Sequence, residues 1–61
     1  MEMWIARDKD GTLYISEEKP QLHIDYFDTE LGTFYSEIPS GLFPEVTFEN
    51  SPQMIELKLV K

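Results

Sequence analysis

The chain has 61 residues, 41% of them hydrophobic and 13% aromatic, so it can form one hydrophobic core but no second domain. Twelve acidic residues against five basic ones give a formal net charge of −7, which repels nucleic-acid phosphates and anionic membrane surfaces. There is no cysteine and His23 is the single histidine, which rules out a disulfide framework and argues against a structural zinc site.

The hydropathy of the chain favours a cytoplasmic domain. No apolar run approaches the roughly 20 residues needed to cross a bilayer. The N-terminus has neither a basic segment nor the apolar segment of a secretion signal. We therefore expect a cytoplasmic protein with no membrane partner and no direct nucleic-acid partner, and the lack of cysteine fits a reducing compartment.

The N-terminal segment predicts a β-hairpin. Residues 1–7 and 12–16 are both rich in apolar and β-forming side chains. Between them lies Asp10-Gly11, which is typical of a tight turn because glycine readily takes the positive φ that closes it.

The middle of the chain predicts a second hairpin. In residues 22–27 the type of side chain alternates with a period of two, so that every second residue would lie on the same face, as expected for a half-buried strand. Residues 33–38 resume as a strand rich in β-forming residues, and Gly32 is the permissive residue of the intervening turn. We expect these two strands to pair with each other.

The remainder of the chain predicts loops and a final strand. Residues 39–44 contain two prolines and a glycine, so nothing longer than a single helical turn is expected there. Residues 46–48 are a candidate short edge strand, and residues 54–61 form the clearest amphipathic strand. The expected fold is therefore all-β with little helix: residues 1–61 form one small antiparallel sheet or open barrel of four to five strands.

One segment partly matches a calcium-binding loop. Residues 8–13 fit the third to eighth positions of an EF-hand loop, and Glu17 falls at the position of its bidentate glutamate. However, Ala6 occupies the first ligand position, and neither flank has a helical pattern. An ordinary hairpin turn is the better interpretation, and no metal or cofactor is predicted.

No catalytic set emerges from the remaining polar residues. His23 and Asp25 lie two residues apart, but a triad also needs a nucleophile and an oxyanion hole. None of the serines lies in a nucleophile-elbow pattern: Ser16, Ser36, Ser40 and Ser51. Acid pairs suited to glycoside hydrolysis would need a substrate cleft, which so short a chain can hardly provide. We predict that the protein is not an enzyme.

The aromatic side chains suggest an interface. Eight large rings exceed what one inner face of a small sheet can usually cover. Strand alternation places Trp4, Tyr14 and Tyr35 on a second face, where they would form an exposed aromatic patch rimmed by acids, with Phe43 as a further candidate. The alternative is that the loop of residues 42–44 buries this patch.

Two stretches of the chain resemble known sequences. Residues 4–14 (WIARDKDGTLY), with Lys19-Pro20 following, and residues 42–52 (LFPEVTFENSP), with the closing strand, are similar to short uncharacterised proteins of gut Bacteroidetes and their phages or mobile elements. The resemblance implies a bacterial or phage accessory protein in the bacterial cytoplasm. It implies no activity, cofactor or site residue.

Two functional hypotheses follow from these patterns. The first is a non-enzymatic interaction module that binds another protein or a second copy of itself, through exposed aromatics or a free strand edge. The alternative is an acidic inhibitor whose carboxylates mimic nucleic-acid phosphates and bind a DNA- or RNA-binding protein. A small enzyme or a calcium-binding module is a remote third class.

Overall fold

The computed structural model describes residues 2–29 and 34–56, which form six β-strands in two antiparallel sheets. The strands are β1 (Glu2–Arg7), β2 (Leu13–Ser16), β3 (Gln21–His23), β4 (Tyr26–Asp28), β5 (Tyr35–Ile38) and β6 (Gln53–Glu56). Four strands form the main sheet in the order β5-β2-β1-β6, and β3 pairs with β4 in a separate two-stranded sheet. Within the described ranges there is no helix, and the main sheet is open. The predicted all-β antiparallel fold is therefore confirmed.

The first hairpin forms as the sequence predicts. In β1 and β2, Ile5 lies opposite Ile15 and Ala6 opposite Tyr14. Gly11 has a φ of 100°, a conformation that side chains other than glycine's rarely adopt, and its amide donates to the Asp8 carbonyl oxygen at 2.9 Å. The Asp-Gly signal thus specified both the turn and the register of the two central strands.

One face of the main sheet carries the larger aliphatic cluster, and we call it the arginine face because Arg7 lies on it. Ile5 and Leu13 are fully buried there and pack with Val46, which is 4% exposed. Ile15, Ile38 and Ile55 from three different strands pack around this cluster. The cover of the arginine face comes from the connection between β5 and β6, residues 39–52, although these residues form no regular element.

The Arg7 guanidinium holds that connection in place. Its Nε donates to the Val46 carbonyl oxygen at 2.6 Å, and one terminal nitrogen donates to the carbonyl oxygens of Gly11 and Ser40, each at 2.9 Å. The other terminal nitrogen donates to the carbonyl oxygens of Leu42 and Phe43 at 3.0 and 3.2 Å. A planar five-donor group can satisfy several converging carbonyls at once, so one side chain supplies partners to a loop that has no ladder of its own.

The opposite face, which we call the tyrosine face, carries Trp4, Ala6, Tyr14 and Tyr35. Its cover is the β3–β4 hairpin, whose Phe27 packs with Ala6 and Tyr14 in a second buried cluster, and Phe48 packs against that cluster. The rings of Phe27 and Phe48 meet edge to face, with centroids 5.8 Å apart. The Asp8 carboxylate accepts a hydrogen bond from the Phe27 amide at 2.8 Å, which ties the hairpin to the turn between β1 and β2.

The predicted strand over residues 22–27 is wrong in one respect. The chain reverses at Ile24 and Asp25, so this stretch contributes to both strands of the β3–β4 hairpin. Neither turn residue has a positive φ, so the reversal needs no glycine and leaves no glycine signal in the sequence. The predicted pairing of this stretch with residues 33–38 is likewise wrong, because β5 pairs with β2 instead.

Two further predictions need correction. Residues 46–48 form no strand: the Val46 amide donates to the Phe43 carbonyl in a turn, and the Asn50 side chain satisfies the amide of Thr47. The final strand is confirmed over Gln53–Glu56, where Ile55 is half-buried and Glu56 exposed, while its predicted continuation over residues 57–61 lies outside the described residues. The predicted turn at Gly32 also lies outside them.

Candidate functional site

The candidate interface residues do not form one surface. The strand register places Trp4, Tyr14 and Tyr35 on the same face of the main sheet. Trp4 and Tyr35 both lie opposite Ser16, one on each neighbouring strand, and Tyr14 is two residues before Ser16 in β2. Tyr35 is 61% exposed, whereas Tyr14 is only 6% exposed. The expectation of an exposed Tyr14 is therefore wrong, and the reason is a cover that the sequence did not reveal: Phe27 of the β3–β4 hairpin lies over it, and not the loop of residues 42–44.

Trp4 and Phe43 lie apart from that pair. Trp4 is half-buried, and the Lys19 Nζ lies 5.6 Å from the centroid of its ring, within the range of a cation–π contact. Phe43 is 43% exposed but belongs to the connection that covers the arginine face, and it has a positive φ of 49°. The role of Trp4 and Phe43 in an interface stays a prediction, and the two residues lie on separate surfaces.

A cleft of about 190 Å³ opens beside Tyr14 on the tyrosine face. Its walls combine aromatic rings with carboxylates, and its principal lining side chains are Asp8, Tyr14, Phe27, Asp28, Tyr35 and Glu37. The rings of Tyr14 and Tyr35 meet edge to face, with centroids 6.0 Å apart. Thr12 and Thr29 complete the described lining, which therefore includes no basic side chain.

The Tyr14 hydroxyl is the unusual group of this cleft. It is buried and has no hydrogen-bond partner among the residues that the structure describes. Burial raises the pKa of Tyr14, and the nearby carboxylates of Asp8 and Asp28 raise it further. The phenol therefore stays protonated, and it adjoins two acidic side chains that line the same cleft. A buried hydroxyl with no partner costs stability, so a functional reason for its presence should be sought.

Asp8 contributes to the same electrostatic environment. Its partial burial raises the pKa of the carboxyl, the hydrogen bond from the Phe27 amide opposes this, and the negative charges of Asp10 and Asp25 add to the rise. Asp10 behaves oppositely, because hydrogen bonds from Thr12 lower the pKa of its carboxyl. Both aspartates of the calcium-like segment thus accept backbone hydrogen bonds, Asp10 within the turn and Asp8 from the Phe27 amide of β4. Over the described residues, no group of three or more acidic or histidine side chains is arranged to hold a metal ion.

His23 and Asp25, the other candidate pair, are separated by the chain reversal. His23 ends β3 and stacks its ring on that of Tyr26, with centroids 5.1 Å apart and the ring planes 14° from parallel. Asp25 lies in the turn, where its carbonyl oxygen accepts from the Lys9 amide at 3.0 Å. The structure gives no contact between the two side chains that would orient the imidazole for acid–base work.

The outer edge of β5 adjoins the cleft. Strand β5 pairs with β2 on one side and, among the described strands, has no neighbour on the other. The Glu17 amide donates to the Phe34 carbonyl at 3.1 Å, so the alternation of an antiparallel ladder turns the backbone N–H and C=O of Tyr35 and Glu37 outward. The same two residues line the cleft with their side chains. An extended chain added at this edge would therefore pass beside it.

The sequence analysis named Tyr14 and Tyr35 as candidates and expected acids around them, but it did not say which acidic residues those would be. Asp28 and Glu37 come from strands of two different sheets, and the cleft exists only because the β3–β4 hairpin folds over the main sheet. The available signal was the high proportion of acidic residues, which does not show where they converge.

Comparison with known proteins gives no further guide. The chain matches no protein-family model, no curated protein and no solved structure. In the part of the chain that the structure describes, no helix is both long and apolar enough to cross a membrane.

Proposed function

We propose that this domain is a non-enzymatic interaction module of the bacterial cytoplasm, of bacterial or phage origin, that binds a basic, extended segment of another protein at the outer edge of β5. The observation that carries the proposal is the position of Tyr35 and Glu37, whose backbone groups face outward and whose side chains line the acidic cleft. Strand addition at a free edge gives affinity through main-chain hydrogen bonds, and adjacent side-chain pockets give specificity.

The charge of the domain favours a basic partner. A formal net charge of −7 attracts a positively charged segment and raises its rate of encounter. A second copy of the chain would bring the same negative charge to the same edge, which opposes the homodimer that is the other form of this hypothesis. Self-association through β5 is therefore an outcome that the experiment must separate from partner binding.

The distribution of acidic residues weighs against the nucleic-acid mimic. Within the described ranges every acidic side chain except that of Asp8 is exposed, and these side chains occur in both sheets and in the connections between them. A mimic of a phosphate backbone would concentrate them on one continuous face. The interaction module is thus the better-supported of the two hypotheses.

The proposal can be tested with a random-peptide library displayed on phage and two matched variants. Glu37→Pro and Glu37→Gln both remove the same charge, but only proline also removes the outward amide donor. We expect enriched peptides to be basic, to bind Glu37→Gln with reduced affinity, and to lose binding to Glu37→Pro. Equal binding to the two variants would contradict strand addition, and a dimer in light scattering that Glu37→Pro dissociates would identify a second copy as the occupant.

A further inference from the structure

The aromatic and acidic cleft has features that the binding of a strand does not require. Main-chain pairing at β5 needs only the outward backbone groups of Tyr35 and Glu37. The cleft is in addition lined by three acidic residues, Asp8, Asp28 and Glu37, of which Asp8 and Asp28 each accept one hydrogen bond from a backbone amide. It also contains the Tyr14 hydroxyl, which lacks a partner among the described residues. These groups are drawn from β2, β4, β5 and the first turn. This combination of groups is suited to a ligand of complementary charge.

The chemistry of the lining selects a cation with hydrogen-bond donors. Carboxylates accept charge-assisted hydrogen bonds, and the face of an aromatic ring such as Tyr35 attracts a positive charge. The Tyr14 oxygen can accept a hydrogen bond from such a ligand, which would give the buried hydroxyl the partner that it lacks among the described residues. A neutral or anionic ligand would bring no positive charge to balance the carboxylates, so it fits the cleft poorly.

We propose that the cleft binds the ammonium group of a lysine side chain presented by the partner chain; this inference rests on the function proposed above. A compact ammonium has three donors that can diverge toward separate carboxylates, whereas the planar guanidinium of arginine is suited to bidentate pairing with one. Tyr35 is 61% exposed and packs edge to face against Tyr14, so it is the accessible aromatic ring of this cleft.

The probe that tests the cleft independently of strand addition is n-butylammonium, a lysine side chain without its backbone. With ¹³C-labelled tyrosine, NMR should show saturable shifts of Tyr14 and Tyr35 on titration with n-butylammonium chloride, and none with n-pentanol, the neutral control of similar length. Identical shifts from the alcohol would overturn the proposal. Equal or tighter binding of n-butylguanidinium would overturn the assignment to lysine.

Three variants separate local recognition from net charge. Glu37→Gln should weaken n-butylammonium binding about two- to fivefold, as expected for one partly exposed ion pair. Glu56→Gln is the matched control and should leave binding unchanged. Glu56 is also an exposed edge-strand glutamate on the same face of the sheet, but it lies outside the cleft lining. Tyr14→Phe should weaken binding about tenfold through the lost acceptor. Equal weakening by Glu37→Gln and Glu56→Gln, or wild-type affinity in Tyr14→Phe, would overturn the proposal.

The outcomes also distinguish this inference from the function on which it rests. If n-butylammonium binds the cleft but peptides bind Glu37→Pro and Glu37→Gln with the same reduced affinity, the lysine pocket stands and strand addition fails. If peptides add at β5 but bind equally well after acetylation of their lysines, strand addition stands and the lysine pocket is overturned.

Discussion

The two faces of the main sheet are covered by different means. On the arginine face an irregular connection lies over a fully buried aliphatic cluster, and one guanidinium satisfies its carbonyls. On the tyrosine face a short hairpin contributes one buried ring, Phe27, and beside it leaves a cleft whose Tyr14 hydroxyl has no partner in the described part of the chain. The guanidinium of one face is therefore used within the domain, whereas the buried Tyr14 hydroxyl of the other has no partner among the described residues and is available to a ligand.

The largest expected effect comes from removing the ring that covers the tyrosine face. Phe27→Ala should destabilise the domain by about 3 kcal/mol, because it deletes a buried aromatic side chain and leaves a cavity against Ala6 and Tyr14. Urea unfolding followed by Trp4 fluorescence measures this loss. Leu22→Ala is the control in the same hairpin, since Leu22 is 58% exposed and its truncation should change stability by less than about 0.5 kcal/mol. Equal effects of the two variants would show that the hairpin does not cover the sheet as described.

The arginine face should respond next most strongly. Arg7→Met keeps an apolar stem but removes every guanidinium donor, so it should destabilise the domain by about 2 kcal/mol. Lys9→Met removes the same charge from an exposed position in the adjacent turn and should have little effect on unfolding by urea. If Lys9→Met were as damaging as Arg7→Met, charge alone would explain the result and the carbonyl network would lose its importance.

The local parts of this fold were predictable, whereas the long-range parts were not. Asp10-Gly11 encodes its hairpin within four residues, so the sequence suffices there. The reversal at Ile24 and Asp25 uses no positive φ, and its alternating pattern matches that of a continuous strand.

The carbonyl partners of Arg7 lie as far as 39 residues away along the chain. No periodicity within one element can indicate such contacts. The cleft likewise depends on contacts between residues distant in sequence. Tyr14 was recognisable as an aromatic residue of the second face, but its burial depends on Phe27.

A smaller effect of opposite sign is expected at Tyr14. Tyr14→Phe removes a buried hydroxyl that has no partner among the described residues, so it should stabilise the domain by about 1 kcal/mol while weakening cation binding. Thermal and urea unfolding measure the first change, and n-butylammonium titration measures the second. Destabilisation would mean that the hydroxyl has a partner in solution, which would remove the contrast between the two faces.

The smallest expected effect is a pH dependence at Asp8. Because the folded-state pKa of this carboxyl lies above its ordinary value of 3.8, its ionisation costs stability, and that cost appears as the pH rises from 3.8 through the folded-state pKa. Asp8→Asn keeps an acceptor for the Phe27 amide and removes the charge. It should match the wild type at low pH and be more stable by less than about 1 kcal/mol at neutral pH. A stability difference that shrinks as the pH rises would contradict the assigned direction.

Amide hydrogen exchange at the outer edge of β5 tests the central claim most directly. It would be measured by NMR with and without a basic peptide enriched in the display selection. The account predicts that the peptide slows exchange at the outward amides of Tyr35 and Glu37 and leaves β6, the other edge of the main sheet, unchanged. Protection confined to β6 or to the β3–β4 hairpin, with no change at Tyr35 and Glu37, would contradict it.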